Sequence, residues 1–463
     1  MTNGWQSAFE HLLALEFAAS WQRLMTLRDY NTRVVLVGMT LLGGAGGLVG
    51  TFTLLRKRAL MADALSHATL PGIAFAFLAV TAVGGEGKSL PLLLTGAGAT
   101  GLLGVGVILG IRRYTRIKED AALGIVLSVF FGLGMTLLTM IQQMEQGHAA
   151  GLESFIYGKT ASLRAVDAYG IAAVAAASIG LTGLLFKEFK LLCFDETFGA
   201  AHGLPTRLLD ALLMALVVLV LIVGLQAVGL ILMVALLVIP AAAARFWTDR
   251  MGPMSLIAAM LGSVGGAVGA ATSALFSDLP SGAVIVLVCA GFFGISLFGG
   301  TRRGVFVRLL RRYRLNRSID RQHLLRDLYE IMESTGALTS AGRSALPPIP
   351  RRALFTIRAW PSRRLERTIR RADAEGLVVS QGDQLALTAR GLQESARLTR
   401  RHRLWELYLI THADVAPGRV DRDADAIEHV LEPEVVAELE ALLDKGRPEV
   451  PASPHELSKG ADR

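Results

Sequence analysis

The sequence predicts an all-α polytopic membrane protein of about nine transmembrane helices, followed by a soluble domain on the cytoplasmic side. Three observations predict it. Long apolar runs with few charges fill residues 33–300. Residues 301–463 read instead as a soluble, basic polypeptide. Basic residues follow every second apolar run. Of 47 Lys and Arg, 18 lie in residues 1–300 and 29 in 301–463; of 39 Asp and Glu, 16 and 23 do. The two parts therefore carry net charges of +2 and +6.

A membrane helix needs about 20 mostly apolar residues. Runs of that kind cover roughly 33–55, 62–83, 89–111, 119–141, 167–186, 207–227, 229–246, 254–276 and 281–300. Glycines recur inside them, as at Gly43, Gly47, Gly262 and Gly266, and small residues let helix backbones approach closely in lipid. Basic residues mark the cytoplasmic ends. Arg56, Lys57 and Arg58 follow the first run; Arg112, Arg113, Arg116 and Lys118 follow the third. Lys187 and Lys190 follow the fifth, Arg245 and Arg250 the seventh, and seven arginines from Arg302 to Arg317 the ninth. The expected topology has the N-terminus outside and everything after residue 300 in the cytoplasm, in a bacterial inner membrane. Residues 1–32 carry Trp5, Phe9, Leu12, Leu13, Phe17 and Trp21 among charges, which suits a helix in the membrane interface rather than a cleavable signal peptide.

Some chemistry is excluded at this point. Two cysteines, Cys193 and Cys289, cannot make a disulfide framework or a thiolate metal cluster. The stretch Gly84–Ser89 imitates the end of a phosphate-binding loop, but the motif requires glycine where Ala82 stands. No nucleotide is expected on this chain, so any ATPase is a separate subunit.

Asp63 and His67 interrupt the second run. Four residues apart, they share one face of a helix. Nine residues separate Arg58 from His67, about 13 Å of helix, which puts the imidazole near mid-membrane. An ionisable group there faces a partner or a water-filled path. A carboxylate with an imidazole can fasten two helices as an ion pair, or offer a hard and a borderline ligand to a divalent cation. Chemistry alone does not choose. The surrounding run Arg58-Ala59-Leu60-Met61-Ala62-Asp63-Ala64-Leu65-Ser66-His67-Ala68-Thr69-Leu70-Pro71-Gly72 closely resembles the signature of the manganese/zinc/iron family of ABC importer permeases. Two further stretches agree with it in order. Residues 186–190 with Phe194-Asp195 and Gly203-Leu204-Pro205 resemble that family's cytoplasmic coupling segment, and 225–242 resemble its paired spans. The resemblance covers about residues 30–300. It implies Mn²⁺, Zn²⁺ or Fe²⁺ as cargo, with Mn²⁺ favoured. It also implies two ATPase subunits, an extracytoplasmic metal-binding protein and a second permease copy or paralogue. Asp63 and His67 inherit the metal path, and Lys187, Glu188, Phe194, Asp195, Glu196 and Gly203 the contact with the ATPase. Pro71, lacking an N–H, frees a carbonyl near that path.

The soluble part begins with a basic juxtamembrane linker, 301–317. From 318 to about 390 a helical pattern, a proline-rich interruption, the basic helix around Ser362, Arg363, Arg364 and Arg367, and a hairpin around Gly382-Asp383 read as a winged helix-turn-helix. Those four residues are the candidates for DNA contact, which membrane tethering makes doubtful. Residues 318–442, most clearly from 376 on, resemble the diphtheria-toxin-repressor family of metal-dependent regulators, on Leu387-Thr388, Gly391, Arg401-His402-Arg403-Leu404-Trp405-Glu406 and Ala424-Asp425-Ala426-Ile427-Glu428-His429-Val430-Leu431. The resemblance implies one metal site from His402, Glu406 and Asp421 and another from His323, Asp425, Glu428 and His429. Oxygen and imidazole ligands without thiolate suit Mn²⁺ or Fe²⁺. The full expectation is a winged helix at about 318–390, metal-binding and dimerisation-like helices at about 391–442, and a disordered tail at 443–463. The leading reading is a metal-importer permease with a cytoplasmic metal-sensing domain. The alternative is a membrane-tethered, metal-responsive transcriptional regulator.

Overall fold

The computed structural model describes residues 30–83, 89–144, 163–276, 279–340 and 347–412, with the single residues 158 and 450. The expected interfacial helix of 1–32 lies outside the described residues but for its last three, and the expected tail lies outside them except for Val450. The chain divides after Arg308 into two compact units.

The first unit is helical. Its elements are α1 (Tyr30–Leu55), α2 (Ala59–Ala68), α3 (Leu70–Ala82), α4 (Leu90–Tyr114), α5 (Glu119–Gln142) and α6 (Ala165–Leu184). There follow α7 (Phe186–Phe194), α8 (Glu196–Ala201), α9 (Thr206–Val228), α10 (Leu230–Ala244), α11 (Met251–Leu275) and α12 (Ser281–Gly299). Among the described residues, eight helices are long and apolar enough to cross a membrane, with α2 and α3 together making one of them. The run expected at 229–246 forms only the 15-residue α10. Glycine cuts it from α9: Gly229 has φ +89°, and its N–H closes onto the Leu225 carbonyl.

Contacts between α1 and α11 explain the glycine pattern. A Cβ on Gly43 would collide with the Gly262 carbonyl, and one on Gly47 with the Ala258 carbonyl. Backbone against backbone leaves no room for side chains, which is how helices attract without a hydrophobic drive. The core around this seam includes Met39, Leu42, Val49, Val217, Leu221, Leu236 and Leu237.

The second expected span is broken in the middle. Helix α2 stops at Ala68, Thr69 caps it, and α3 restarts with Pro71 in its first turn. Proline has no N–H to return to the His67 carbonyl, so the ladder lapses there.

The second unit holds most of α13 (Val305–Ser334), then α14 (Ala337–Ser340), β1 (Ile349–Pro350), α15 (Leu354–Ile357), α16 (Ser362–Ala374), β2 (Val378–Gln381), β3 (Gln384–Leu387) and α17 (Ala389–His412). The three strands pair antiparallel in the order β1-β3-β2, with Ile349 opposite Leu385 and Val378 opposite Leu387. Gly382, at φ +58°, makes the β2–β3 turn. Leu324, Leu325, Leu328, Leu354, Leu365, Ile369, Leu385 and Leu398 form its core.

Candidate metal path, coupling segment and cytoplasmic metal site

Helix α2 is buried on nearly every side. Met61, Ala62, Ala64, Leu65, Ser66 and Ala68 are inaccessible, whereas Leu60, Asp63 and His67 are not. These three share one stripe. The pair therefore sits on the open face of a wrapped helix, with His67 Nε2 3.5 Å from Asp63 Oδ1. Phe131 of α5 meets the imidazole edge-on at 4.8 Å between centroids. The other ring nitrogen, Nδ1, is buried and has no hydrogen-bond partner among the described residues. No group of three or more His, Cys, Asp or Glu that would hold a metal occurs among the described residues. Asp63 and His67 therefore stand together as two side chains of ligand type, with no third among the described residues.

At the other end of α2 the chain reverses through Arg56-Lys57-Arg58. The Arg58 N–H bonds the Thr53 carbonyl and the Lys57 N–H bonds the Leu54 carbonyl, closing α1 in a Schellman motif. Its left-handed position, φ +60°, belongs to Lys57 where glycine is usual. Both flanking arginines reach one carboxylate. Asp210 of α9 accepts from Arg56 Nη2 at 3.1 Å, from Arg58 Nη1 at 2.5 Å and Nη2 at 3.2 Å, and from Arg112 Nη1 at 3.0 Å. Glu119 pairs with Arg58 and Arg112. Glu196 pairs with Arg56 at 3.0 Å. Three guanidiniums and three carboxylates make a neutral lattice, with the side chains of Arg58 2%, Asp210 5% and Arg56 9% exposed. Burial works against the Arg56 charge, but Asp210 and Glu196 outweigh it and hold its pKa above the ordinary value. Sequence reasoning missed this lattice. Its arginines mark orientation in the sequence, and nothing in the local pattern singles out Asp210, near the start of an apolar run.

The stretch expected to be the coupling segment forms α7 and α8. Phe189 and Leu192 are buried, and the rings of Phe186 and Phe189 meet Phe52 edge-on at 6.0 and 5.6 Å. Lys187, Phe194, Asp195 and Gly203 are exposed, while Glu188 and Glu196 are half-buried. Asp195 caps α8 by accepting from the Phe198 N–H at 2.9 Å and the Thr197 hydroxyl at 2.7 Å, which keeps its carboxyl below the usual range. Gly203, at φ +81° in open space, turns the chain into α9. Arg56 Nη1 also donates to the Leu192 carbonyl at 2.7 Å, tying the last turn of α7 to the reversal before α2. Burial pushes the Cys193 thiol up to about 12.

In the second unit, α17 brings His402 and Glu406 together, fully buried, with Nε2 and Oε1 3.4 Å apart. Arg326 of α13 stands beside them, its Nη1 2.7 Å from His402 Nδ1 and its Nε 3.3 Å from Glu330. A guanidinium only donates. His402 Nδ1 therefore accepts, and Nε2 carries the proton toward Glu406. In this arrangement the Nδ1 lone pair is engaged by Arg326 and Nε2 carries the proton, so the imidazole would have to release one of these partners to take a metal. His323 lies on α13, whereas Asp421, Asp425, Glu428 and His429 lie outside the described residues. The four candidates for DNA contact, Ser362, Arg363, Arg364 and Arg367, are all exposed on α16. The Arg364 fork is engaged by Asp320, at 2.8 and 2.5 Å. That bond raises its pKa further above the ordinary arginine value.

A bundle of apolar helices with one ionisable pair on an open mid-span stripe, and an amphipathic segment docked at the basic end, defines a multi-pass membrane transport protein. Family comparison gives the narrower placement: residues 28–300 match the ABC 3 transport family, and the chain belongs to it. Residues 388–456 match the iron dependent repressor, metal binding and dimerisation domain. Among similar proteins, the manganese transport system membrane protein MntC of Bacillus subtilis is 37% identical over 412 residues, covering 88% of this chain and 90% of its own. The zinc transport system membrane protein TroC of Treponema pallidum is 45% identical over 289 residues, covering 62% and 95%. A chain in the solved structure of PsaBC from Streptococcus pneumoniae in complex with Fab superimposes with a TM-score of 0.53 at 30% identity, covering 64% of this chain and 99% of that one.

Proposed function

We propose that this chain is the permease subunit of an ATP-driven importer of divalent metal ions, with Mn²⁺ as the favoured cargo and Zn²⁺ and Fe²⁺ as the others of its class. The observation that carries this is the Asp63–His67 pair on the one open stripe of α2. A charged stripe facing lipid would be costly, so a second permease copy or paralogue faces it and the ion passes between them. ATP is hydrolysed by separate ATPase subunits that dock on 186–203, and an extracytoplasmic binding protein delivers the metal. The protein lies in a bacterial inner membrane with its N-terminus outside. Proteoliposomes holding the chain with its ATPase and binding protein test this directly. ATP-dependent accumulation of ⁵⁴Mn²⁺, competed by Zn²⁺ and Fe²⁺ but not by Mg²⁺, is the expected result. Accumulation that persists without ATP would point to a proton-coupled carrier.

The cytoplasmic domain, on this reading, is a winged helix followed by a metal-responsive module that slows import when the cell is replete. The α16–β2–β3 order and the family match over 388–456 support it. Its metal falls to His323, Asp425, Glu428 and His429, because Arg326 engages the His402–Glu406 pair. A DNA-binding role gains nothing from Arg364, whose fork is committed to Asp320.

A further inference from the structure

The Asp210 lattice has no part in the metal path itself, yet it is the most heavily buried charge cluster described in the membrane unit. Its placement shows what it can do. Arg58 immediately precedes α2, and His67 lies nine residues on, about 13 Å along that helix. Arg56 holds the Leu192 carbonyl and Glu196, which belong to the coupling segment. Asp210 holds both arginines, on either side of the left-handed Lys57. Coupling segment, strained reversal and metal-bearing helix are therefore joined through one carboxylate.

We propose that Asp210 is a positioning residue for transport coupling: it locks the α1–α2 reversal to segment 186–201, so that displacement of that segment by an ATPase is passed to Asp63 and His67. The proposal rests on the importer reading. Its physical basis is the charge balance of the lattice. Removing one partner from a buried ion pair leaves an uncompensated charge, which is far more costly than never having had the pair. Arg56, Arg58 and Asp210, the buried members, therefore tend to hold together or separate together, the two-arrangement behaviour that coupling between distant sites requires. Glu196 is the most exposed of the lattice's six groups, with 42% of its side chain accessible, so it is the member that a docking protein reaches first. Lys57 adds the second ingredient. A left-handed non-glycine residue persists only while its surroundings hold it, and here Asp210 anchors the residues before and after it.

The test measures Mn²⁺ ions imported per ATP hydrolysed in proteoliposomes containing the chain, its ATPase and its metal-loaded binding protein. The ratio does not depend on how much of a variant folds. Asp210→Asn is expected to lower it about 5- to 150-fold, the range of ordinary coupling energies. Glu196→Gln, at the half-exposed edge, is expected to lower it about 2- to 5-fold, in keeping with an exposed ion pair. In both variants the Mn²⁺ concentration giving half-maximal uptake stays at the wild-type value. A ratio equal to wild type in both, with import and hydrolysis falling together, would reduce the lattice to a structural fastening and overturn the proposal. A wild-type protein that imports no Mn²⁺ with ATP would instead sink the importer reading, and this inference with it.

Discussion

Glycine-to-alanine substitution should have opposite signs at two places in the membrane unit. At Gly262 the added methyl would collide with the Gly43 carbonyl oxygen and lie 2.8 Å from its carbon. Neither atom is the end of a flexible side chain, so α1 and α11 must move apart. Overpacking of this kind costs typically about 1–3 kcal/mol. At Gly124, in α5, a Cβ meets nothing within 4 Å. There alanine only gains helix propensity, about 0.5–1 kcal/mol in the stabilising direction. The assay is thermal unfolding of the purified chain in detergent, read by the same probe for both variants and for wild type. Gly262→Ala should melt lower, and Gly124→Ala at or above wild type. If Gly262→Ala melted with wild type, the α1–α11 backbone contact would not exist as described, and the account of how the bundle holds together would fail with it.

Other outcomes follow from single contacts. Lys57→Gly should stabilise the chain by about 1 kcal/mol in the same melt, since glycine meets no Cβ penalty at φ +60°; a loss would mean that the lysine side chain matters more than its backbone. A cysteine placed by Glu196→Cys should cross-link to the ATPase, with Cys193 silent because its thiol, pushed up to about 12, stays protonated at neutral pH; cross-links to the extracytoplasmic binding protein alone would invert the topology. Raising Mn²⁺ on the ATPase side of proteoliposomes should slow ATP hydrolysis in wild type and in His402→Ala but not in Glu428→Ala, His429→Ala, and a wild type that does not slow would end the sensing role. Asp195 caps α8 as a carboxylate with a lowered pKa, so its contribution is present above the unfolded carboxylate range and lost as pH falls through the folded value; amide protection in 196–201, taken relative to the intrinsic exchange rate at each pH, should fall on acidification in wild type and be low at all pH values in Asp195→Ala.

Much of this fold is legible in the sequence because lipid imposes simple demands. Apolar length locates α1, α4, α5, α6, α9, α11 and α12, and the i, i+4 spacing puts Asp63 and His67 on one stripe. The break at Thr69 follows from Pro71, although a continuous run of apolar residues hides its position. Length misleads at 229–246, where the described helix has 15 residues, because the Gly-containing turn legible at 227–229 and the chain from Arg245 on stay outside it. The lattice was not legible at all. Arg56, Arg58, Arg112, Glu119, Glu196 and Asp210 are scattered over 154 positions, and only the packing of α1, α4, α5, α8 and α9 brings their charges together. Arg326 is a similar case: one arginine in a helix rich in them, distinguished only by facing His402.

The central claim is that metal passes along the open stripe of α2. Uptake of ⁵⁴Mn²⁺ by proteoliposomes containing Asp63→Ala or His67→Ala, each first shown to co-purify with the ATPase at wild-type stoichiometry, tests it most directly. Both variants should assemble, and neither should accumulate Mn²⁺ above the ATP-free background. Assembled variants that accumulate Mn²⁺ at the wild-type rate would contradict it and leave the pair as a fastening between helices.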